Sequence, residues 1–339
     1  MAKTAVRASR IVAISVAVVS SLSLYAQRLE DGRRNYYAAV FLNRGHVSGG
    51  ASSNIGLFKR MSSDTIWHNI YRPNLFTFGI GFWERGATRR YYIAGGNGLH
   101  RSTDEGRTWR VLTTWKTEEI LSVALDPVDS SILYVATPFG VFKSTDDGSH
   151  WVRKMKGMKR WYVQRLVVDR TDRRKLYAAA EDDLYQTTDG GEHWRQLGVG
   201  VPGILSALQH PQQTAVLLVG TEDHGVRVTT DGGRTWSGGQ NLPQTSFYAL
   251  RSSSDGQALY AGGYRTGLWK SENLGRTWSL VSPAPNVEAI YSIFVHPDDP
   301  KHLLIGTCGQ GVYESFDGGG SWKNIGLQGA HVKQIELYP

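Results

Sequence analysis

Residues 102–109 read STDEGRTW, and variants of this octapeptide recur five more times. The later copies are STDDGSHW (144–151), TTDGGEHW (187–194), TTDGGRTW (229–236), SENLGRTW (271–278) and SFDGGGSW (315–322). We call these stretches the boxes. Their closing tryptophans lie 42 to 44 residues apart, and 42 residues before Trp109 the segment GLFKRMSSDTIW ends in Trp67. Seven units of about 42 residues are therefore expected, a period typical of propeller blades.

Each unit contains the same four strand signals. In the unit that ends at Trp151 they are ILSVALDP (120–127), LYVAT (133–137), GVFKS (140–144) and, after the box turn, WVRKM (151–155). Short apolar runs bounded by Gly, Pro and Asp predict strands and leave no room for helices. The sequence therefore predicts an all-β protein, a seven-bladed β-propeller of four-stranded blades.

The two ends of the chain predict how the ring closes. The tail HVKQIELYP (331–339) has the pattern of a first strand, whereas YYAAVFL (36–42) has the pattern of a second strand. We expect the C-terminal strand to complete the N-terminal blade, because a closed ring leaves no unpaired edge.

The first 26 residues are typical of a secretory signal peptide. Lys3, Arg7 and Arg10 precede an apolar run of about 14 residues, too short to span a bilayer comfortably. We expect cleavage after Ala26, a propeller domain over 27–339, and export to the periplasm or the medium. The alternative is an uncleaved N-terminal anchor. The formal net charge is +8, and the single cysteine, Cys308, makes no intrachain disulfide.

The box residues have a structural interpretation. An Asp or Asn side chain accepts hydrogen bonds from turn N–H groups, glycine supplies positive φ, and tryptophan packs between blades. Asn273 replaces aspartate in one box, which fits a turn residue and not an acid. The proposed structural residues are Asp104, Asp146, Asp189, Asp231, Asn273, Asp317, Trp109, Trp151, Trp194, Trp236, Trp278 and Trp322.

The pattern S/T-x-D-x-G-x-T/S-W resembles the Asp-box, or bacterial neuraminidase, repeat. This repeat is found in sialidases, sortilin-type receptors, xyloglucan-degrading glycoside hydrolases and the photosystem II stability and assembly factor family. The resemblance covers about 36–339 and implies the fold more than the function. A signal peptide and one short-looped ring most resemble the assembly factors, because the sortilin and xyloglucanase types carry longer or additional propellers.

Acidic residues occur in loops that should meet at one face of the ring. Two carboxylates across a funnel are what glycosidic bond cleavage requires. Under this alternative the catalytic candidates are Glu118, Glu119, Asp182 and Asp223, in stretches that also contain Glu181, Asp183 and Glu222. The competing interpretation is solvated loop acids without a catalytic role.

A basic run follows the third unit. Ten of the 23 residues from Arg153 to Lys175 are Lys or Arg, and we expect most of them on the outside of one blade. Such a patch attracts an acidic partner, although a solvated edge that deters aggregation is the alternative. The predicted partner-binding residues are Arg160, Trp161, Arg165, Arg173 and Arg174.

The sequence thus predicts an exported, non-catalytic binding or assembly scaffold for a protein partner with an acidic surface. The alternative is a glycoside hydrolase or carbohydrate-binding propeller. We expect no cofactor, no metal site, no nucleic-acid partner and a monomeric protein. The two functions differ in geometry: an enzyme needs two carboxylates facing each other across an aromatic-lined groove, and a scaffold does not.

Overall fold

A computed structural model describes residues 34–43, 55–62, 64–71, 76–114, 117–281 and 287–338. These residues form seven sheets of four antiparallel strands, and the predicted seven-bladed propeller is confirmed. The predicted signal peptide lies outside them. Within the described residues, no helix combines the length and apolar character needed to cross a membrane.

The 28 described strands follow one another blade by blade. Blade 1 contains β1 (Asn35–Asn43), β2 (Gly56–Met61), β3 (His68–Tyr71) and β28 (Ala330–Tyr338); blade 2 contains β4 (Thr77–Arg85), β5 (Thr88–Gly95), β6 (Gly98–Ser102) and β7 (Arg110–Val111). Blade 3 contains β8 (Ser122–Leu125), β9 (Leu133–Thr137), β10 (Gly140–Ser144) and β11 (Val152–Arg153); blade 4 contains β12 (Val163–Val168), β13 (Leu176–Ala180), β14 (Leu184–Thr187) and β15 (Arg195–Gln196). Blade 5 contains β16 (Ile204–Gln209), β17 (Leu217–Thr221), β18 (Val226–Thr229) and β19 (Ser237–Gly238). Blade 6 contains β20 (Phe247–Ser252), β21 (Leu259–Gly263), β22 (Leu268–Ser271) and β23 (Ser279–Val281); blade 7 contains β24 (Ile290–Val295), β25 (Leu303–Thr307), β26 (Val312–Ser315) and β27 (Lys323–Asn324).

The position of a strand within its blade determines its burial. Every residue of the second strands β9, β13, β17, β21 and β25 is buried, because neighbouring blades cover both faces of each sheet. The first strands β4, β8, β12, β16, β20 and β24 flank the central channel, together with β28. The apolar clusters are shared by adjacent blades, as where Ala124 and Tyr134 of blade 3 pack with Leu166 of blade 4. Packing between blades therefore supplies the core of the ring.

The antiparallel meander gives the ring two distinct ends. The loop face carries the connections between second and third strands and those between blades. The box face carries the boxes and the connections between first and second strands. Residues close in sequence can therefore lie at opposite ends of the ring, which decides where the predicted site residues meet.

The ring is closed by β28, as the sequence predicts. It pairs with β1 through registers such as Tyr37 with Glu336 and Ala38 with Ile335. Val332 and Ile335 of β28 are fully buried with Phe294 and Leu304 of blade 7. The C-terminal strand therefore joins blade 1 to blade 7.

The boxes form one repeated hydrogen-bonded turn. In the first box Ser102 Oγ accepts from Gly106 N at 2.8 Å, and Asp104 accepts from Thr108 N at 2.9 Å and Thr108 Oγ1 at 2.6 Å. The hydrogen bonds from Thr108 and Ser102 stabilise the ionised carboxylate and lower the pKa of Asp104 to about 2. Gly106 has φ +88°, which favours glycine. The box carboxylates therefore accept hydrogen bonds within their own turns, as Asp104 does.

Several box tryptophans also connect adjacent blades. The indole N–H of Trp151 in blade 3 donates to Leu112 O after blade 2 at 3.0 Å, and that of Trp236 in blade 5 donates to Leu197 O after blade 4 at 3.1 Å. Trp67 donates in the same way to Ile325 O at 3.0 Å, from blade 1 to blade 7. The degenerate first unit thus keeps the connection at the point where the ring closes.

Candidate functional site

A groove on the loop face runs along the start of blade 4. It consists of two adjoining cavities of about 400 and about 290 Å³ that share Tyr162 and Glu181. Lys159, Arg160 and Trp161 line the larger cavity, and Glu222 lines the smaller one. We call these two cavities the loop-face groove. It combines aromatic, basic and acidic groups within a short distance.

Exposed aromatic rings flank the groove. Trp161 is 59 % exposed, Phe139 59 % and Tyr162 38 %, which is high for side chains of this size. The guanidinium of Arg153 lies 4.9 Å from the Trp161 ring centroid, and its Nε donates to Phe139 O at 2.9 Å. Arg153 therefore holds Trp161 near the loop of blade 3, and both rings remain available to a ligand.

Buried contacts fix the segment that carries these groups. Tyr185 Oη lies 3.1 Å from Lys159 N, from which it accepts, and it donates to Asp182 Oδ2 at 2.7 Å. Burial raises the pKa of Tyr185 to about 12, so the phenol stays protonated and keeps both hydrogen bonds. The groove is thus attached to the rigid blade beneath it.

The four acids predicted as alternative catalytic groups have different surroundings in the structure. Glu118 and Glu119 are exposed, and Asp223 accepts from Ser246 Oγ at 3.1 Å. Asp182 accepts the hydrogen bond from Tyr185 Oη. Among the residues that line the loop-face groove are instead their neighbours Glu181 and Glu222. Nearby Asp183 is buried and accepts backbone N–H groups of Leu184, Gly198 and Val199, a capping role.

The predicted partner-binding residues are divided among three places. Arg160 and Trp161 lie in the loop-face groove, whereas Arg173 and Arg174 lie on the box face, in the β12–β13 connection. Arg173 contacts Asp126 of the neighbouring blade at 3.4 Å. The expected place of Arg165 on the outside of the blade is wrong, because β12 is the innermost strand and Arg165 lines the central channel.

Lys333 of β28 is a further basic group that sequence reasoning missed. It lies in the central channel 3.6 Å from the ring centroid of Tyr291, and burial lowers the pKa of Lys333 to about 8. In the part of the chain described by the structure, no group of three or more His, Cys, Asp or Glu side chains is arranged to hold a metal ion.

Solved structures of similar fold come from different functional classes. The GH74 xyloglucanase of Xanthomonas campestris superposes with a TM-score of 0.61 at 22 % identity, over 74 % of this chain and 45 % of that one. YCF48 bound to D1 peptide gives a TM-score of 0.59 at 16 % identity, over 78 % of this chain and 92 % of that one. Likeness at this level of identity shows the fold alone.

Sequence comparison also finds a xyloglucanase among the relatives. Xyloglucanase Xgh74A of Acetivibrio thermocellus is 23 % identical over 289 residues, which covers 74 % of this chain and 32 % of the enzyme. This chain thus spans less than half the length of either xyloglucanase. The model of the DUF6242 β-propeller domain matches residues 131–328, more than half of the sequence. The chain therefore belongs to the DUF6242 β-propeller domain family.

Proposed function

We propose that this protein is an exported, non-catalytic binding scaffold whose loop-face groove holds an extended segment of a protein partner. The observation that carries the proposal is the exposed cluster of Phe139, Trp161 and Tyr162 beside Lys159 and Arg160. Aromatic side chains next to arginine are the groups that contribute most to protein interfaces. In this proposal the boxes are Asp-box repeats and have an architectural role.

The groove suggests the composition of the partner segment. Lys159 and Arg160 favour acidic side chains at the end of the groove nearest Trp161, and the exposed rings favour an apolar or aromatic neighbour. The short loops around the groove leave its end open, which suits an extended chain more than an enclosed small molecule. The structure of YCF48 bound to D1 peptide supports the proposal, since it is a chain of similar fold that binds a peptide.

Selection of peptides from a random display library tests this function. We expect the full chain to enrich peptides with acidic and aromatic residues. Trp161→Ala combined with Arg160→Glu should lower the affinity for the selected peptides at least tenfold. The double substitution removes the aromatic ring of Trp161 and reverses the charge at position 160. Arg174→Glu makes the same charge change on the box face and should leave the affinity within twofold of wild type. Equal affinity of the groove variant and the wild type would rule out this site.

Glycoside hydrolysis is the second candidate function, favoured by one observation. Glu181 and Glu222 line the same cavity beside Tyr162, as a pair of carboxylates for acid and base chemistry would. If this function holds, xyloglucan incubated with the protein releases reducing ends, and Glu181→Gln or Glu222→Gln lowers the rate at least 100-fold. Our main proposal predicts no release above the rate of a heat-denatured sample, with peptide binding intact.

A further inference from the structure

A separate cavity lies in the central channel, at the end opposite the loop-face groove. Its volume is about 890 Å³, and all seven strands around the channel contribute to its wall, from Phe82 of β4 to Glu336 of β28. Pro127, Pro211 and Pro297, which follow first strands, surround its mouth on the box face. This channel cavity is large enough for an organic molecule of several carbon atoms, and a ligand would enter it from the box face.

Some charged groups in the wall of the channel cavity form ion pairs and others do not. Arg251 forms a two-pronged ion pair with Glu336, at 3.0 Å to Oε1 and 2.9 Å to Oε2. Gln334 Nε2 also donates to Glu336 Oε1 at 3.1 Å. Asp169, the other acid in the wall, contacts Lys175 at 3.0 Å and accepts from Gln209 Nε2 at 2.7 Å. Both acids of the wall are therefore already engaged by other side chains.

Two arginines of the wall remain without such a partner. Within the described residues, the guanidinium of Arg165 donates no hydrogen bond to a protein acceptor, and neither does that of Arg170, which lies exposed at the mouth. Burial lowers the pKa of Arg165, which the charge of Glu336 opposes and the charge of Arg251 reinforces. A partly buried guanidinium without a hydrogen-bonded acid is incompletely neutralised, and a bound anion would supply the missing partner.

The rest of the wall suits an organic anion. Ser252 lies in the same wall, and Phe294 supplies an apolar surface beneath the Arg251 guanidinium, whose central carbon lies 5.8 Å from the ring centroid of Phe294. Guanidinium groups bind carboxylate and phosphate through paired N–H donors.

We propose that the channel cavity binds a small organic anion through its carboxylate or phosphate groups, with Arg165 as the residue that recognises them. The site lies at the opposite end of the ring from the proposed peptide groove and does not depend on it. The proposal also gives a role to Arg165, which we had expected on the outside of the blade with most of the basic run 153–175.

Calorimetric titration of the full chain tests the proposal with two probes, citrate for carboxylates and pyrophosphate for phosphates. We expect saturable binding of one equivalent of at least one of them, and none of the uncharged trimethyl ester of citrate. Arg165→Gln should lower the affinity for the anion at least tenfold. Arg165→Lys should lower that affinity less, because the positive charge remains. The control Arg174→Gln, which changes an exposed arginine of the β12–β13 connection, should bind as the wild type does.

The outcomes separate cleanly. Failure of the wild type to bind either anion overturns the proposal without reference to any variant. Binding by Arg165→Gln that equals wild-type binding overturns the role of Arg165, and so does an equal loss in Arg174→Gln, which would indicate general charge attraction. Thermal unfolding of each variant without ligand verifies that it is folded before titration.

Discussion

Replacing Glu314 by glutamine is expected to lower the free energy of unfolding by about 3 to 5 kcal/mol, the usual cost of breaking a buried ion pair from one side. Glu314 of blade 7 accepts from Arg60 of blade 1 at 2.8 Å, and their side chains are only 7 % and 5 % exposed. His302 Nε2 lies 2.9 Å from the same oxygen. The substitution keeps the shape of the side chain but leaves the Arg60 charge buried without its counter-charge.

Equilibrium denaturation measures this cost, and the structure offers a matched control. Arg34 and Asp298 also join blades 1 and 7 at 2.7 Å, but their side chains are 35 % and 55 % exposed. Asp298→Asn should cost less than about 1 kcal/mol, because water screens the pair. Arg60→Met combined with Glu314→Leu should recover most of the loss, since no charge remains buried. Similar costs for Glu314→Gln and Asp298→Asn would contradict the assigned role of burial.

The same ion pair makes ring closure sensitive to acid. Burial alone would raise the pKa of Glu314, but the hydrogen bonds from His302 and Arg60 outweigh it and hold that pKa below its ordinary value of 4.5. A carboxyl whose pKa is lower in the folded state contributes stability above its unfolded pKa and loses it as pH falls through the folded pKa. Wild type should therefore lose more stability than Glu314→Gln between pH 6 and pH 3.

The fold was predictable because its information is repeated. Each unit contains four strand patterns and one turn. The degenerate box at 62–67 therefore did not change the predicted number of blades. Closure was predictable for the same reason, since HVKQIELYP has a first-strand pattern without a second strand after it. A strand pattern recurring seven times leaves few alternative topologies.

The orientation of the site residues was harder to predict. The basic run 153–175 looks continuous, yet it passes from the outermost strand of blade 3 to the innermost strand of blade 4 and then to the box face. In addition, β12 has a register irregularity between Val163 and Arg165, and β16, β20 and β24 have one at the matching place. An irregularity of one residue reverses the alternation of side chains beyond it. Sequence alternation alone therefore could not place Arg165 in the channel.

Deleting residues 330–339 is expected to abolish cooperative folding of the chain. The deletion removes β28 and leaves β1 with an unpaired inner edge. It also removes Ala330, Val332 and Ile335, each at most 1 % exposed. Burial of side chains like the last two stabilises by about 1.5 to 3 kcal/mol each, and the lost ladder and the unpaired Arg251 add to this. The sum is comparable to the whole stability of a typical domain, about 5 to 15 kcal/mol.

Thermal unfolding and size-exclusion chromatography of the truncated chain measure the outcome. We expect no cooperative transition, together with association through the exposed β1 edge. Deletion of Pro339 alone retains every described pair of β28 and should behave as wild type. A synthetic peptide of residues 328–339 supplied during refolding should restore a cooperative transition, because the closing strand acts by pairing and packing and does not need to be covalently attached. A truncated chain that unfolds cooperatively near the wild-type temperature would show instead that six complete blades hold the ring without it.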